Sequence, residues 1–449
     1  MNFNYNGPKI VVDPPGPKAR DLIARDNTVL STSLSRTADL VALRAHGPYV
    51  EDVDGNVFMD FGSGIAVSVM GHTEEHVVKA IQDQAAALIH ANSCDYLTLP
   101  QVEYAERFIK MTPGDFPKRA FFSNSGAESI ECGIKVAKYN TKKTGSIAFL
   151  GAFHGRFMGS LALTTNSPVS RRHYISSMMP GVAFAPYAYC YRCPFKQKYP
   201  DCNMECLQYL EENVLNRVIP PEDCAFMIIE PLQGASGFII PPKEFLQGVQ
   251  KICRDNGILL MVDEVQTAFG KTGYFLASEY FGIEPDILCV SKAIAAGLPM
   301  GITVTRAELM EWELNTHENT LGGNPVVVAA ALAVLDLYEK QGLTEKAEQV
   351  GEWLQAGVRE LEEKYELIGD IRALGTMVGI ELVESRETKE PATAKRNRLV
   401  ELTFKKGLLI LGAGKSSVRL APVQTMTEDE VKVGIKILDD ALAEITGKA

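Results

Sequence analysis

The chain has 449 residues, of which 46% are hydrophobic and 22% are charged, so it has the composition of an ordinary globular protein with a large core. Its formal net charge of -11 at pH 7 argues against general binding to nucleic acid or to an anionic membrane surface. The amino terminus has no basic region followed by an apolar one, and the longest apolar run, 326–335, is too short to span a bilayer. A cytoplasmic location is therefore expected.

The first 75 residues are predicted to form an amino-terminal arm and part of a small domain. Residues 1–45 carry scattered prolines and charges without a clear period, which is typical of an arm. Residues 47–60 alternate around Asp54-Gly55-Asn56, which predicts a hairpin.

Residues 76–329 alternate helical segments with short apolar runs, which predicts a mostly parallel α/β sheet. The predicted strands are 120–124, 146–150, 225–229, 258–262, 287–290 and 301–304. Residues 330–449 contain amphipathic helices at 346–364 and 427–445, with strand-like runs at 376–382 and 417–420, and they predict a smaller α+β domain.

Charged side chains follow three of the predicted core strands. Lys292, Asp263 and Glu230 each stand at the end of an apolar run, where the carboxyl ends of parallel strands gather site residues. A lysine in a dry site can form a Schiff base with a carbonyl, and a nearby carboxylate can keep a pyridine nitrogen protonated. A lysine and a carboxylate are the two groups that a protein contributes to pyridoxal-phosphate chemistry. Acids at such positions also cap helices, which is the structural alternative.

Two further motifs could bind a ligand, and each also has a purely structural explanation. In 121–128 a strand turns through Ser125-Gly126-Ala127 into a helix, which suits a phosphate group but also describes a simple glycine turn with a helix cap. In 151–156, Phe153 can lie on a cofactor ring and Arg156 can pair with a carboxylate. The alternatives are core packing for the phenylalanine and a solvated charge for the arginine.

The order and spacing of these motifs resemble the class III, fold-type I pyridoxal-phosphate aminotransferases. The resemblance rests on 261–273, on Pro285-Asp286 and Ser291-Lys292, and on the run Gly322-Gly-Asn-Pro325. The group includes 4-aminobutyrate and ornithine aminotransferases and archaeal aminotransferase and racemase relatives. It implies a large domain with a mostly parallel seven-stranded sheet between helices, and a smaller α+β domain built from both termini.

The resemblance also implies roles in cofactor binding. Lys292 would form the Schiff base and move the proton, while Asp263 would pair with the ring nitrogen and Gln266 would approach the phenolic oxygen. Thr320 would reach the phosphate of the neighbouring subunit, which implies a homodimer or a dimer of dimers with shared active sites. The remaining implied cofactor-binding residues are Ser125, Gly126, Ala127, Phe153, His154 and Val265.

Five residues are implied in substrate recognition. Arg419 matches the arginine that binds the α-carboxylate, and Glu230 matches the glutamate that neutralises it when an ω-amino donor is bound. Arg156 would take the distal carboxylate of 2-oxoglutarate. Ile65 stands where the ornithine branch has a tyrosine, which leans away from a typical ornithine site. Asp95 could hold a substrate ammonium group, or it could be a surface or capping aspartate.

The function implied is a ping-pong aminotransferase reaction. An ω-amino or diamino acid, such as 4-aminobutyrate or an ornithine-like donor, would pass its amino group to 2-oxoglutarate. The alternative is an amino-acid racemase or epimerase on the same fold, which needs a second acid opposite Lys292. A non-catalytic scaffold is disfavoured because Lys292, Asp263 and Gln266 are all present.

Nine cysteines, an odd number, do not predict a secreted disulfide framework. Four of them, Cys190, Cys193, Cys202 and Cys206, have spacings compatible with a structural zinc ion, with disulfides and packed thiols as alternatives. Catalysis in the resembled family needs no metal. The other cysteines are predicted to be ordinary buried residues: Cys94, Cys132, Cys224, Cys253 and Cys289.

Overall fold

The computed structural model describes residue 5 and residues 7–448. The chain divides into two compact units. Unit 1 contains the amino-terminal segment up to Glu75, the three residues Lys271–Gly273, and the carboxyl-terminal segment from Gly342 onwards. Unit 2 contains His76–Gly270 and Tyr274–Gln341. Both ends of the chain therefore contribute to one unit.

The strands are short, as in most globular proteins. In chain order they are β1 (Ala42–His46), β2 (Tyr49–Asp52), β3 (Val57–Asp60), β4 (Lys118–Ser123), β5 (Gly145–Phe149), β6 (Val182–Ala185), β7 (Cys224–Ile229), β8 (Leu259–Asp263), β9 (Ile287–Val290), β10 (Gly301–Arg306), β11 (Ile368–Leu374), β12 (Met377–Leu382), β13 (Leu408–Leu409), β14 (Leu411–Ala413) and β15 (Ser417–Leu420).

The α-helices range from single turns to long amphipathic helices of several turns. In chain order they are α1 (Pro17–Val29), α2 (Ser63–Ala66), α3 (Glu75–Ala87), α4 (Leu99–Lys110), α5 (Gly126–Thr141), α6 (Met158–Ala162), α7 (Pro168–Arg171), α8 (Glu205–Tyr209), α9 (Lys243–Asp255), α10 (Ala277–Phe281), α11 (Pro325–Gln341), α12 (Leu343–Lys364), α13 (Thr393–Lys405) and α14 (Glu428–Thr446). Within the described residues, none of these helices is both long and apolar enough to cross a membrane.

Unit 2 is built on a seven-stranded sheet with the order β4-β10-β9-β8-β7-β5-β6. Neighbouring strands from β6 to β9 run parallel, while β10 is antiparallel to both β4 and β9. Every residue of β7 and β9 is buried, as continuous apolar strands in a covered parallel sheet should be. The predicted mostly parallel seven-stranded sheet is confirmed.

Helix α5 covers the middle of this sheet. Its apolar residues Ile130 and Val136 pack in one buried cluster with Phe226 and Ile228 of β7 and with Met261 of β8. A Cβ on Gly133 would lie 3.0 Å from the Met261 side chain, so the glycine lets the helix approach the sheet closely. The start of α5 is thereby brought near the carboxyl ends of the central strands.

Unit 1 contains two four-stranded sheets, with the orders β1-β2-β3-β13 and β11-β12-β15-β14. The predicted hairpin is present between β2 and β3, which pair antiparallel. The Asp52 carboxylate stabilises its turn by accepting hydrogen bonds from the backbone N–H groups of Asp54 and Asn56, at 2.9 and 2.8 Å. Helices α12 and α14 pack together over a shared apolar core that includes Leu354 and Leu438.

Candidate active site

An open cleft of ≈ 390 Å³ lies in unit 2 at the carboxyl ends of β7, β8 and β9. Its volume is in the range of small-molecule sites. Residues that the sequence places on separate motifs all line it: Ser125, Gly126, Ala127, Phe153, His154, Arg156, Glu230, Asp263, Val265, Gln266 and Lys292. The structure therefore brings these predicted residues into one cleft, and Glu230, Asp263 and Lys292 lie at strand ends there as expected.

Lys292 follows β9 after a single residue and begins a 3₁₀ turn, Lys292–Ala295. Its φ of 51° lies in the left-handed region, which costs a non-glycine residue about 1 kcal/mol or more. The Ser291 hydroxyl donates a hydrogen bond to the Met300 carbonyl at 2.6 Å and ties this turn to the start of the next strand. A strained backbone at the lysine that lines the cleft is typical of a functional position.

Asp263, the last residue of β8, is only 5% exposed and is held on both carboxylate oxygens. Oδ2 lies 2.8 Å from His154 Nδ1, and Oδ1 accepts the backbone N–H of Val265 at 2.9 Å. Because a carboxylate can only accept, His154 carries its proton on Nδ1 in this contact. The histidine therefore fixes the direction in which the aspartate faces the cleft.

Glu230, which follows β7, is 6% exposed and is also fixed by backbone donors. Its carboxylate accepts the N–H of Phe153 at 3.0 Å on Oε2 and the N–H of Gly234 at 3.1 Å on Oε1. Burial raises the pKa of Glu230 to about 7, an effect that the nearby Asp263 carboxylate strengthens and His154 opposes. Glu230 can therefore exchange a proton near neutral pH.

The start of α5 offers donors for an anion. Ser125 caps the helix by accepting the N–H of Glu128 at 3.2 Å, and the Glu128 carboxylate accepts the N–H of Asn124 at 2.8 Å. The N–H groups of Gly126 and Ala127 lie in the first turn, where the helix itself provides no acceptor. The positive end of the helix dipole favours a phosphate at this place.

Close packing fixes the walls of the cleft. A Cβ on Gly126 would lie 2.8 Å from Val265 Cγ1, so only glycine lets the helix start approach the loop after β8. A Cβ on Gly234 would lie 1.7 Å from Gln266 Oε1, which shows how tightly the glutamine is packed. On the other wall, the Arg156 guanidinium lies 5.0 Å from the centre of the Phe153 ring.

The set of groups in the cleft fits pyridoxal phosphate. Amide donors at a helix start suit the phosphate, a buried fixed carboxylate suits a protonated ring nitrogen, and an amine suits the aldehyde. His154 Nε2 is buried and has no hydrogen-bond partner among the described residues. This nitrogen of the imidazole can therefore accept a hydrogen bond in addition to the contact that Nδ1 makes with Asp263. The residues that would hold the cofactor are thus all in unit 2.

Four predicted site residues are not in this cleft. Asp95 is exposed, and its carboxylate accepts a hydrogen bond from the Asn92 side chain, with Nδ2 at 2.7 Å. Thr320 is exposed on the loop before α11. Ile65 and Arg419 belong to unit 1, where Ile65 is 49% exposed and Arg419 lies on β15 opposite Gly379 of β12. Their roles stay predictions.

Two supporting features had a weaker signal in the sequence: the contact of His154 with Asp263, and the buried Glu264. The His154–Asp263 contact joins residues 109 positions apart, so only the position of His154 beside Phe153 hinted at it. Glu264 is fully buried and accepts hydrogen bonds from Thr267 Oγ1 and from the N–H groups of Ala277 and Ser278. Glu264 therefore stabilises the loop that carries Val265 and Gln266. Its position in the sequence did not distinguish it from a helix-capping acid.

The four-cysteine segment lies elsewhere in unit 2. Cys190, Cys193, Cys202 and Cys206 line one small cavity of ≈ 20 Å³, and burial raises the pKa of Cys206 to about 12. Across the described ranges, no group of three or more His, Cys, Asp or Glu side chains is arranged to hold a metal ion. The structural zinc ion, one of three alternatives that the cysteine spacing allows, is therefore unsupported. The prediction that Cys94 is buried is wrong, because it is exposed in the loop before α4.

Comparison with known proteins agrees with this geometry. The class III aminotransferase family matches residues 32–442. An alanine/serine racemase from Pyrococcus horikoshii is 34% identical over 98% of this chain and 94% of the racemase. A 4-aminobutyrate aminotransferase from Mycobacterium leprae is 36% identical over 97% of this chain and 98% of that enzyme. The crystal structure of an (S)-enantioselective omega-transaminase from Thermomicrobium roseum has a TM-score of 0.88 and 28% identity, covering 95% of this chain and 99% of that one. The chain belongs to the class III aminotransferases, a family of pyridoxal-phosphate enzymes.

Proposed function

We propose that the protein moves an amino group from an ω-amino or diamino acid, such as 4-aminobutyrate or an ornithine-like donor, to 2-oxoglutarate by a ping-pong mechanism. The observation that carries the proposal is the common cleft of Lys292, Asp263, Glu230 and Arg156. An amine and a fixed acid supply the chemistry of amino transfer, while a second acid and a guanidinium supply charges that can distinguish substrates.

Bound pyridoxal phosphate would supply an aldehyde that takes up the amino group and a pyridine ring that accepts electrons from the substrate carbon. Asp263, oriented by His154, would hold a proton at the ring nitrogen and keep the ring cationic. Lys292 would attach the cofactor through its Nζ and would move the proton to and from the substrate. The amides of Gly126 and Ala127 would bind the phosphate.

Charge in the cleft supports two kinds of substrate. Arg156 is exposed at the cleft wall and can pair with the distal carboxylate of 2-oxoglutarate. Glu230 is a buried acid that would neutralise Arg419 when the substrate brings no second carboxylate. The family resemblance implies this pairing of Glu230 with Arg419. The pairing stays a prediction, because the two residues belong to different units.

The test is a half-reaction without any keto acid. The holoenzyme is mixed with single donors, including 4-aminobutyrate, both ornithine enantiomers and both enantiomers of several α-amino acids, and the absorbance of the bound cofactor is followed. Stoichiometric conversion of the cofactor to its amine form, fastest with an ω-amino donor, is expected. No conversion by any ω-amino donor would contradict the proposed donor class.

Racemisation is the second candidate, because a racemase relative spans 98% of this chain. Within the cleft, Glu230 is an acid whose pKa of about 7 would let it deliver a proton near neutral pH. Chiral analysis of the amino acid recovered from the half-reaction decides between the two. Scrambled chirality without loss of the cofactor's aldehyde form would establish a racemase, and that activity should then vanish in Glu230→Gln.

A homodimer with shared active sites, in which Thr320 serves the neighbouring subunit, is part of the proposal. Unit 2 exposes large apolar side chains at Leu97, Leu99 and Leu314, whose exposed fractions are 90%, 70% and 94%. If these side chains form one contiguous patch, that patch would be typical of a surface that meets a partner. A cytoplasmic location also stays a prediction.

A further inference from the structure

The four-cysteine segment of unit 2 lies against a side chain that supports the cleft. Its cysteine side chains line one small cavity of ≈ 20 Å³, and Tyr187 lines the same cavity. The Tyr187 hydroxyl lies 3.0 Å from the carbonyl oxygen of Glu230 and 3.1 Å from that of Pro231, and it shares its hydrogen between them. One tyrosine therefore joins the cysteine cavity to the backbone that carries the buried acid of the cleft.

Aromatic packing fixes the ring of Tyr187. Its centre lies 5.4 Å from the ring of Phe245 on α9 and 6.2 Å from the ring of Phe149 on β5, with interplanar angles of 73° and 82°. Tyr187 is only 4% exposed, and a side chain in so dense an environment does not shift alone. The stability of the cavity wall should therefore affect the hydrogen bond at the backbone of Glu230.

The chain between the two cysteine pairs is held weakly and carries strain nearby. The Tyr199 hydroxyl donates to the Glu244 carboxylate on α9, with both oxygens at 3.3 Å, but the tyrosine is 43% exposed and water competes for this contact. Directly after Cys202, Asn203 and Met204 have φ values of 48° and 52°, a conformation that their Cβ atoms disfavour. A covalent link across this segment would therefore stabilise it.

Cys190 and Cys202 share their neighbours in the cavity. Burial raises the pKa of Cys206 to about 12, and the thiols of Cys190 and Cys202 both add to this rise. Burial and Glu244 raise the pKa of Tyr199, and the same two thiols add to that rise as well. Cys190 is exposed, so small solutes reach it, whereas the raised pKa keeps Cys206 in its less reactive thiol form.

We propose that Cys190 and Cys202 are a modification site at which a peroxide forms a disulfide, and that this disulfide stabilises the segment that supports Glu230 through Tyr187. The three observations behind the proposal are the shared cavity, the common neighbours of the two thiols, and the contact of Tyr187 with the carbonyl of Glu230.

The oxidation consumes one peroxide for each disulfide. The Cys190 sulfur attacks one oxygen of hydrogen peroxide, the O–O bond breaks, water leaves, and the sulfur becomes a sulfenic acid. The Cys202 sulfur then attacks the Cys190 sulfur, the S–O bond breaks, and a second water leaves. The two thiols thus lose two hydrogens and two electrons to the peroxide, and a dithiol reductant reverses the change by thiol–disulfide exchange.

The experiment treats the holoenzyme with hydrogen peroxide, alkylates the remaining thiols and maps linked peptides by mass spectrometry. One link, between Cys190 and Cys202, is expected, and dithiothreitol should remove it. The amide of Gly234, which donates to the Glu230 carboxylate, should exchange its hydrogen about tenfold more slowly in the oxidised enzyme, because the link makes local opening less favourable.

Substitutions separate this pair from the other cysteines. Cys193→Ser changes a thiol in the same cavity outside the pair, and it should keep both the link and the slower exchange. Cys190→Ser and Cys202→Ser should lose both. Tyr187→Phe should keep the link but lose the slower exchange at Gly234, since the ring remains without its hydroxyl. Each variant is compared with itself before and after oxidation, so a change in its basal stability cancels.

A link between any other two cysteines would overturn the inference, and so would alkylation of both Cys190 and Cys202 after peroxide treatment. Equal exchange at Gly234 in the reduced and oxidised enzyme, or equal slowing in Tyr187→Phe, would overturn the role of Tyr187. If Cys190→Ser does not fold, Cys202→Ser decides. None of these measurements depends on the amino donor, so the inference and the proposed function can fail separately.

Discussion

Lys292 is the residue on which amino transfer should depend most. Lys292→Ala removes the amine that we propose attaches the cofactor and moves the proton, so turnover should fall by several orders of magnitude. The change also leaves the cleft walls in place, and circular dichroism should show an unchanged fold. Steady-state rates with the best donor measure the loss. Retained turnover would reject the assignment of this lysine.

We propose that Asp263 acts through its charge, which its hydrogen bonds hold at a fixed position. Asp263→Asn should leave the cofactor bound but lower kcat about a hundredfold or more, because an amide cannot keep the ring nitrogen protonated. Asp286→Asn is the matched control, since Asp286 holds the sheet by accepting the N–H of Leu260 at 2.9 Å and by pairing with Arg306 at 2.8 Å. That variant should lose stability and keep its rate, and equal rates in the two variants would contradict the role of Asp263.

Glu230 should make stability depend on pH. Burial raises its pKa from 4.5 to about 7 in the folded protein, so the folded state keeps a proton that the unfolded chain has lost between these values. The free energy of unfolding therefore falls as pH rises through this window, by about 3 kcal/mol for this group.

The isosteric change Glu230→Gln removes that ionisation. Urea unfolding of both proteins from pH 4.5 to pH 8 should show a smaller loss of stability in the variant. Glu279, whose pKa burial also raises to about 7, contributes equally to both and cancels in the difference. Parallel stability curves would mean that Glu230 titrates normally in the folded protein.

At the scale of single elements, the approach of α5 to the loop after β8 forms the predicted phosphate site. Gly126→Ala places a Cβ 2.8 Å from Val265 Cγ1, so the helix start must move away from the loop. The dissociation constant of pyridoxal phosphate should rise about tenfold, as the loss of one good hydrogen bond implies. Gly133→Ala in the same helix meets the flexible Met261 side chain and should change stability without changing cofactor affinity. Equal dissociation constants in the two variants would place the phosphate elsewhere.

The sequence predicts an element well when the pattern that produces the element lies within its own residues. Strands β7, β8 and β9 were predicted because a buried parallel strand is a continuous apolar run ending in a polar residue. Strand β6 was missed, since it has four residues at the sheet edge with only alternate burial. The prediction that β4 reaches Asn124 is wrong, because the N–H of Asn124 donates a hydrogen bond to the Glu128 carboxylate and not to a neighbouring strand.

The left-handed turn Ser63–Ala66, with φ values of 46°, 60°, 67° and 58°, is an element that no local rule predicts. Gly64 is the one residue in it that adopts positive φ without strain, and Ile65 favours strands. One side chain that holds the turn lies far along the chain, because Lys271 Nζ donates a hydrogen bond to the carbonyl of Ala66, 205 positions away. The Asp263–His154 contact shares this property. Motif order could therefore indicate residues that line the cleft, although Ile65, Asp95, Thr320 and Arg419 do not line it. The contacts that support the cleft residues join distant parts of the chain, and a single sequence does not reveal them.

At the scale of the whole molecule, the proposed dimer can be tested by complementation. Lys292→Ala and Thr320→Ala are purified separately, partly denatured, mixed and refolded together. If Thr320 serves the neighbouring subunit, each hybrid contains one site with both native residues, and activity should exceed that of either parent. Refolding each parent alone is the control. A mixture no more active than the Thr320→Ala parent would show that the threonine acts within its own subunit.

The division of the chain has a consequence for building chimeras. Unit 1 takes both chain ends and also Lys271–Gly273 from the middle of unit 2, so neither unit corresponds to one continuous stretch of gene. Exchanging unit 1 with that of a relative requires crossovers after residues 75, 270, 273 and 341. A graft of the two termini alone would leave behind Lys271, whose ammonium group donates a hydrogen bond to the carbonyl of Ala66 in unit 1. Recombination between relatives should therefore yield functional hybrids only when this three-residue insert travels with the termini.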